Sequence, residues 1–192
     1  MNNSSSNRKY LHTRIDQCIA RSIANKISEL SNIVAITKPL FFCITETWLS
    51  NVIPTTALNL ENYKIHRRDR ESKGGGVLIA VRNDLLDEEM SLNFNTEICY
   101  VDLICFTKKI RIVCCYIPKS TDLMYLKIFF NELQLLINNS NHFIIVGDFN
   151  FPLMDWKLFP NENLPIAKSY ELFNDFLLKN VPLSQLVRFP TR

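Results

Sequence analysis

The sequence predicts an α/β layered sandwich with mixed sheets. Helix-period apolar patterns alternate with short, continuous apolar runs that are typical of buried strands, and one hairpin pattern lies between them. The chain has 192 residues, of which 47% are hydrophobic, so it can form one domain with a substantial core. No internal repeat and no long linker divides the sequence. We therefore expect a single layered domain.

The first half of the chain alternates one helix pattern with three strand patterns. A helix is expected within Arg21–Ile36, before Pro39, because apolar residues recur there at helical spacing: Ile23, Ile27, Leu30 and Val34. The run "LFFCITE" (Leu40–Glu46) predicts a strand that is buried on both faces. "YKIHR" (Tyr63–Arg67) and "GGVLIAV" (Gly75–Val81) predict two further strands that flank a charged turn.

The second half begins with a hairpin pattern and continues with a helix, a strand, a second helix and a last short strand. "ICYVDLICF" and "IRIVCCYIP" flank Thr107–Lys109 as a hairpin. Ser120 or Thr121 is expected to cap the next helix, with Asp122 in its first turn. "HFIIVGDFN" then predicts a strand, Lys168–Lys179 a helix, and "LSQLV" a last short strand. The apolar face of the capped helix is expected to be Leu126, Phe129, Phe130, Leu133 and Leu136 or Ile137.

Composition and charge exclude several classes of protein. The net charge of +3 excludes a histone-like polycation but allows a local basic face. No segment approaches the roughly 20 apolar residues that span a bilayer, and the polar start "MNNSSSNRKY" lacks the apolar block of a signal peptide. The six cysteines form no CxxC pair, so reduced, buried thiols are expected. These features predict a soluble intracellular chain with no membrane partner.

Polar side chains stand where three of the predicted strands end. Glu46 follows "FFCIT", Tyr116 closes "IRIVCCY", and Asp148 and Asn150 follow "FIIVG". Two carboxylates at strand tips could hold a hard cation such as Mg²⁺, and an asparagine beside them could orient a water. The same residue types also form ordinary turns, solvated strand ends and half-buried tyrosines. The pattern alone leaves both interpretations open.

A basic stretch, "KIHRRDRESK" at Lys64–Lys73, carries five Lys or Arg residues and two acids. Its surplus of three positive charges equals the net charge of the whole chain. Arg67, Arg68 and Arg70 could give a weak, salt-sensitive grip on a DNA backbone. The alternative is a solvated hairpin tip with no binding role.

In chain order, "ITETWL", "YKIHRRDRESKGGGVLIAV", "YIP" and "IIVGDFN" resemble the endonuclease/exonuclease/phosphatase superfamily. The resemblance is greatest to the apurinic-endonuclease-like domains of non-LTR retrotransposons, and "ARSIANK" and "QLVRFPTR" add to it. It covers about residues 18–192, which we interpret as the domain; residues 1–17 are interpreted as a polar tail and a degenerate first strand. The resemblance implies a four-layer αββα sandwich.

The resemblance also implies an activity and roles for the residues at the strand ends. It implies hydrolysis of phosphodiester bonds with Mg²⁺ or Mn²⁺ as cofactor, with Glu46 and Asp148 at the metal. Tyr116 would contact the scissile phosphate, and Asp148 with Asn150 would position and activate the water. The implied protein is a DNA-nicking endonuclease of a retroelement that acts in the nucleus, with a reverse transcriptase domain on the same full-length chain.

Two departures from the family pattern lead to a second interpretation. Ile19, in "CIARS", stands where the family has an asparagine. The sequence also ends at Arg192, before the last strands and the Asp-His pair of the family. We expect either a truncated copy with impaired activity or a non-catalytic remnant that keeps the fold with weak nucleic-acid or metal binding. A small-molecule phosphatase of the same superfamily fits the "RRDR" and "FPTR" segments less well.

Overall fold

The strands lie in two sheets, with helices on the outer side of each sheet. The computed structural model describes residues 15–19, 22–72, 74–88, 92–105, 107–119, 121–154, 167–180 and 183. In these ranges the strands are β1 Ile15–Ile19, β2 Phe41–Thr45, β3 Tyr63–Arg68, β4 Val77–Arg82, β5 Leu86–Glu88, β6 Ile98–Cys105, β7 Lys108–Tyr116 and β8 Phe143–Asp148. The α-helices are α1 Ile27–Thr37, α2 Leu123–Asn138 and α3 Lys168–Lys179, and 3₁₀ turns span Ala24–Lys26 and Thr55–Leu58.

Both described sheets mix parallel and antiparallel pairs. The first sheet has the order β1-β2-β4-β3, in which β1 and β2 are parallel and the other pairs are antiparallel. The second has the order β5-β6-β7-β8, in which β7 and β8 are parallel. The parallel registers place Ile19 opposite Thr45 and Tyr116 opposite Asp148. The carboxyl ends of each parallel pair therefore meet at one edge of their sheet.

Buried clusters separate the domain into four layers. Side chains such as Ile79 and Ile112 fill the space between the two sheets. Val34 of α1 packs with Phe42 on the outer face of the first sheet. Helices α2 and α3 cover the outer face of the second sheet through a cluster rich in aromatic residues, which includes Phe129, Phe130, Phe151, Phe173 and Phe176. The four-layer αββα sandwich that the resemblance implied is confirmed.

Helix α1 is shorter than the expected range Arg21–Ile36. It covers Ile27–Thr37, because Lys26 (φ −124°, ψ 11°) leaves the helical region after a 3₁₀ turn. Lys38 ends the helix in a left-handed conformation (φ 44°), and its N–H donates to Val34 O at 2.9 Å. The expected apolar face is confirmed at both of its ends, since Ile23 and Val34 are buried.

The N-terminus of α2 corrects the expected cap. The side chain of Asp122 is the cap, since one of its carboxylate oxygens accepts from Tyr125 N at 2.7 Å. Thr121 Oγ1 instead donates to Pro118 O at 2.6 Å. Ser120 lies outside the described residues. The expected apolar face is confirmed, with buried side chains at Leu126, Phe129, Phe130, Leu133 and Leu136.

Strand β5 and its link to the other sheet were not predicted. Its three residues are Leu86, Asp87 and Glu88, of which the first and last are exposed, so no apolar pattern marks the strand. The side chain of Asp87 is almost fully buried, with His66 Nε2 at 2.9 Å from its Oδ2 and Lys64 paired with its Oδ1. This polar group joins β5 to β3 across the two sheets.

The remaining elements follow the sequence closely. Helix α3 has the predicted bounds Lys168–Lys179. The expected strand "LSQLV" lies outside the described residues except for Leu183. Strand β1 runs across the position between residues 17 and 18 at which we divided tail from domain. In the part of the chain that the structure describes, no helix is both long and apolar enough to cross a bilayer.

The described cysteine side chains are buried and reduced: Cys43, Cys99, Cys114 and Cys115. Burial raises the pKa of the Cys114 and Cys115 thiols well above the ordinary value for a cysteine. Both thiols therefore stay protonated at neutral pH and act as small apolar groups, as the sequence predicted.

Candidate active site

Three strand ends from the two sheets meet at one point. Tyr116, the last residue of β7, donates its phenol hydrogen to Glu46 Oε1 at 2.8 Å, and Glu46 directly follows β2 in the other sheet. Tyr116 also stands opposite Asp148, the last residue of β8, and Ile117 N donates to Asp148 O at 3.0 Å. Tyr116 thus contacts a carboxylate of the first sheet through its side chain and is paired through its backbone with Asp148 of the second sheet.

Asp148 and Asn150 form a hydrogen-bonded turn directly after β8. Asp148 Oδ1 accepts from Asn150 N at 3.0 Å, which is the bond of an Asx-turn. Asn150 has a left-handed backbone (φ 53°), and its Nδ2 donates to Ile117 O at 2.6 Å. The turn therefore fixes the asparagine amide beside the aspartate. The turn interpretation of this segment and its candidate role at a site are compatible.

The backbone around Glu46 adopts conformations that are uncommon for residues other than glycine. Glu46 (φ 56°) and Trp48 (φ 54°) are both left-handed, at a cost on the order of 1 kcal/mol each. Backbone bonds hold this shape: Ser22 N donates to Glu46 O and Trp48 N to Gly75 O, both at 2.9 Å. Strain maintained by surrounding bonds at a polar strand end is typical of a functional site.

The environment of Tyr116 keeps its phenol protonated. Burial, followed by the hydrogen bond to Glu46, raises the pKa of Tyr116 well above the ordinary value for a tyrosine, and the positive charge of Arg70 offsets this in part. Tyr116 is 6% exposed, so the interpretation of a half-buried tyrosine with its hydroxyl in water is wrong. At neutral pH the side chain is a fixed hydrogen-bond donor at the site.

Sequence reasoning missed Glu97, the buried acid behind Tyr116. Glu97 Oε1 accepts from Arg70 Nε at 2.8 Å, and Oε2 accepts from Gly76 N at 2.5 Å. The Glu97 carbonyl accepts from Tyr116 N at 3.0 Å. The Arg70 guanidinium carbon lies 5.8 Å from the centre of the Tyr116 ring, within the range of a cation–π contact. Glu97 therefore links the basic stretch and the glycines to the tyrosine.

The glycine triplet lets the segments on either side of it approach closely. Gly75 (φ 67°) and Gly76 (φ 85°) have left-handed backbones. A Cβ atom on Gly76 would lie 2.4 Å from Thr47 Oγ1, and one on Gly75 would lie 2.4 Å from Glu97 Oε2. Only glycine fits both positions. The glycines therefore allow Thr47 and Glu97 to pack closely against this segment.

Helix α2 supports Glu97 from the outer layer. Glu132, a buried acid of α2, accepts from Asn95 N at 2.7 Å and from Thr96 Oγ1 at 2.5 Å. Tyr125 Oη accepts from Glu97 N at 3.3 Å, and burial raises the pKa of Tyr125 to about 12. In the sequence, Glu97 stands directly before an apolar strand and resembles a solvent-exposed residue at a strand start. Its partners lie in distant segments, and only the fold brings them to it.

Removal of the Glu97 carboxylate should destabilise the domain. We expect Glu97→Ala to lower the free energy of unfolding by about 2 kcal/mol, because it leaves Arg70 and Gly76 N without their acceptor in a largely buried place. Urea unfolding followed by circular dichroism measures the change. Glu61→Ala, at an exposed position, is the matched control and should change little. Equal stability of the two variants would show that the Glu97 contacts contribute nothing.

The other two arginines of the basic stretch also have internal partners. Arg67 donates to Ile53 O at 2.6 Å and pairs with Asp69 at 3.2 Å. Arg68 donates to Phe94 O. These contacts tie β3 and the residues after it to neighbouring loops. A role of Arg67, Arg68 and Arg70 in binding DNA stays a prediction.

Ile19 stands at the edge of this site. Strand β1 ends at Ile19, and its register places Ile19 opposite Thr45, the residue before Glu46. The family pattern has an amide side chain at this position, which could donate and accept hydrogen bonds next to Glu46. Isoleucine can do neither, which is the departure from the family pattern that the sequence shows.

The donors at the site suit a hard cation. Among the residues that the structure describes, no three His, Cys, Asp or Glu side chains are grouped so as to hold a metal by themselves. Glu46 contacts Tyr116 and Asp148 is the backbone partner of Tyr116, so two carboxylate residues adjoin this tyrosine. Mg²⁺ is commonly held by one or two carboxylates together with waters and substrate phosphate oxygens, so this pair fits such an ion.

Several solved structures share the fold at low sequence identity. The 3′ phosphatase NExo from Neisseria, bound to a product DNA hairpin, has 14% identity and a TM-score of 0.60 over 85% of this chain and 69% of its own. An AP endonuclease from Archaeoglobus fulgidus has 16% identity and a TM-score of 0.57 over 86% and 70%. The endonuclease domain of TRAS1, a telomere-specific non-LTR retrotransposon, has 19% identity and a TM-score of 0.52 over 71% and 58%.

The family comparison covers most of the sequence. A search of curated proteins finds no match. The model of the endonuclease/exonuclease/phosphatase family matches residues 9–178, a range that includes every strand described above and the candidate site. The two packed sheets and the outer helices agree with that match. The chain belongs to the endonuclease/exonuclease/phosphatase family.

Proposed function

We propose that the chain hydrolyses phosphodiester bonds in DNA with the help of Mg²⁺ or Mn²⁺. The reaction takes place where β2, β7 and β8 end. The observation that carries the proposal is the contact of Tyr116 with Glu46 at 2.8 Å, combined with the register that puts Tyr116 opposite Asp148. Each of the two sheets thereby contributes one acid next to this tyrosine. Such an arrangement suits an anionic substrate together with a cation.

Asp148 and Asn150 are proposed to position and activate the water that attacks phosphorus. The Asx-turn fixes the Asp148 carboxylate relative to the chain, and the bond from Nδ2 to Ile117 O fixes the Asn150 amide. A carboxylate so held can accept a proton from a water that attacks phosphorus. The amide oxygen can accept a second hydrogen bond from the same water and align it.

Tyr116 is proposed to donate to a phosphate oxygen. Its raised pKa keeps the phenol hydrogen in place across the neutral range, so the donor is present whenever substrate binds. Because the phenol has one hydrogen, it would turn from Glu46 Oε1 to the phosphate when substrate binds, which leaves Glu46 to hold the cation with Asp148. When bound, the cation supplies positive charge that offsets the negative charge growing on the phosphate.

We further propose that the substrate is DNA and that the chain is the endonuclease of a non-LTR retroelement. The sequence resemblance to retrotransposon endonuclease domains supports this, as does the shared fold with the TRAS1 domain. A reverse transcriptase domain on the full-length chain and action in the nucleus belong to the same proposal. Arg67, Arg68 and Arg70 add local positive charge near the glycines and are proposed to favour binding of the phosphate backbone.

A second candidate function is a non-catalytic remnant of such an endonuclease. Ile19 favours it, because an aliphatic residue stands beside Thr45 where the family pattern has an amide. A remnant would keep the fold and weak nucleic-acid or metal binding. It would not turn over DNA.

Nicking of supercoiled plasmid separates the two candidates. The proposed enzyme converts the plasmid to open circles with Mg²⁺ or Mn²⁺ and not with EDTA. Tyr116→Phe should slow the conversion by about 10-fold or more, because it removes one donor to the phosphate. Tyr63→Phe is the matched control, since Tyr63 donates to Pro39 O at 2.8 Å, away from the site, and it should nick at the parent rate. No metal-dependent nicking by the parent chain would favour the remnant.

A further inference from the structure

A pocket adjoins the candidate active site. It has a volume of about 280 Å³ and is lined by Ser22, Ser50, Trp48, Arg70 and Ser72 among others. Trp48 is two residues after Glu46, so their Cα atoms are at most about 7 Å apart. Arg70 belongs to both places, since it lines the pocket and contacts the Tyr116 ring. The pocket is thus a direct neighbour of the proposed reaction site.

The side chain of Trp48, which lines this pocket, is unusually exposed for its position in the chain. Trp48 is 41% exposed, although it lies between the fully buried Thr47 and the buried Leu49. Its left-handed backbone (φ 54°) is held by the bond from Trp48 N to Gly75 O. The backbone at Trp48 is therefore locally strained, in a conformation that leaves a large aromatic ring exposed to solvent. Packing of the core does not require that exposure.

The chemistry of the pocket fits one class of ligand. An indole ring and a guanidinium are the side chains on which flat aromatic ligands stack, and hydroxyl groups can both donate to and accept from the edges of such rings. Drug-sized ligands occupy pockets of about 300–1,000 Å³, so a volume of about 280 Å³ suits a single nucleobase. Glu71 also lines the pocket and disfavours a second phosphate there.

We propose that Trp48 stacks on a base of the DNA strand, close to the phosphate held at Tyr116. Successive nucleotides of one strand are about 3.4 Å apart along the helix axis, so the stacked base belongs to a nucleotide one or two steps from the scissile bond. Arg70 flanks the base while it stays paired with Glu97. The inference rests on the proposed function, because it takes DNA as the ligand of the neighbouring site.

The test compares two single-stranded probes that carry the same number of phosphates. One is a labelled thymidine oligonucleotide of about twelve residues, and the other is an abasic strand of equal length. Binding is followed by fluorescence anisotropy in EDTA, so that no cleavage is needed. We expect Trp48→Leu to weaken binding of the thymidine strand by about 5- to 100-fold and to leave binding of the abasic strand unchanged. Trp48→Phe should keep most of the affinity.

Ile36→Ala, at a residue that is 82% exposed on α1, is the control and should bind both probes like the parent chain. Equal weakening of both probes by Trp48→Leu would mean a structural role and would overturn the inference, as would no weakening at all. Binding that distinguishes the probes supports the base contact even if plasmid nicking fails. Nicking without any probe difference leaves the proposed function and removes this inference. No binding of either probe by the parent chain would overturn this inference, and plasmid nicking with Mg²⁺ or Mn²⁺ would still decide the proposed function.

Discussion

Replacement of Asp148 by asparagine should lower the rate of DNA cleavage by a factor of about 10² to 10⁴. The substitution keeps the shape of the side chain and an oxygen that can accept from Asn150 N, so the Asx-turn can persist. It removes the negative charge and the basic oxygen that the proposed mechanism needs for water and cation. Initial rates of nicking of supercoiled plasmid in Mn²⁺, with enzyme in excess, measure the change.

Asp175→Asn is the matched control for this loss. Asp175 is an exposed residue of α3, in an outer layer of the sandwich. The same loss of charge there should leave the rate within about a factor of two of the parent chain, because the exposed position has no part in the proposed site. If Asp148→Asn and its control cleave at equal rates, Asp148 is an ordinary turn residue.

The largest loss of stability is expected from Asp102→Ala. Asp102 and Arg111 form a buried two-point pair with distances of 2.7 and 2.8 Å, and Arg111 also donates to Leu136 O at 2.9 Å. Both residues are nearly inaccessible to solvent, with exposed fractions of 0% and 3%. The alanine variant leaves a buried guanidinium without its counter-charge, which costs about 3–5 kcal/mol of unfolding free energy.

Urea unfolding followed by circular dichroism measures this loss. Asp84→Ala is the matched control, because Asp84 pairs with Arg82 at the surface and its side chain is 61% exposed. Loss of that surface pair should lower the free energy of unfolding far less than loss of the buried pair, since solvent screens its charges. A variant Asp102→Ala as stable as Asp84→Ala would show that Arg111 finds other partners. Because both variants lose one carboxylate, the comparison isolates burial as the cause.

The sequence alone predicted the elements whose pattern is strong. Helix α3 has the predicted bounds, and the apolar face of α2 is buried as expected, because helical periodicity is a local property. The ends of the strands could also be predicted from the sequence, so Glu46, Tyr116 and Asp148 could be proposed as neighbours before their contacts were known. Strand β5 was missed, since a three-residue strand with exposed ends carries no periodic signal.

The supports of the site could not be predicted, because they join distant segments. Glu97 is 27 residues from Arg70 and 21 from Gly76, and no local pattern pairs them. The cap of α2 was assigned to the wrong residue for a related reason. Ser, Thr and Asp all make good caps, and only the backbone turn decides which one reaches the free N–H. The sequence suggested the candidate residues, and the fold determines what holds them.

The central claim is that Glu46 and Asp148 act as one unit across the two sheets. The most direct test is the rate of plasmid nicking by Glu46→Gln, Asp148→Asn and the double variant, measured in Mn²⁺ with enzyme in excess. Residues that serve one cation or one step are strongly non-additive, so the double variant should cleave about as fast as the slower single variant. A double variant whose loss equals the product of the two single losses would contradict a shared site.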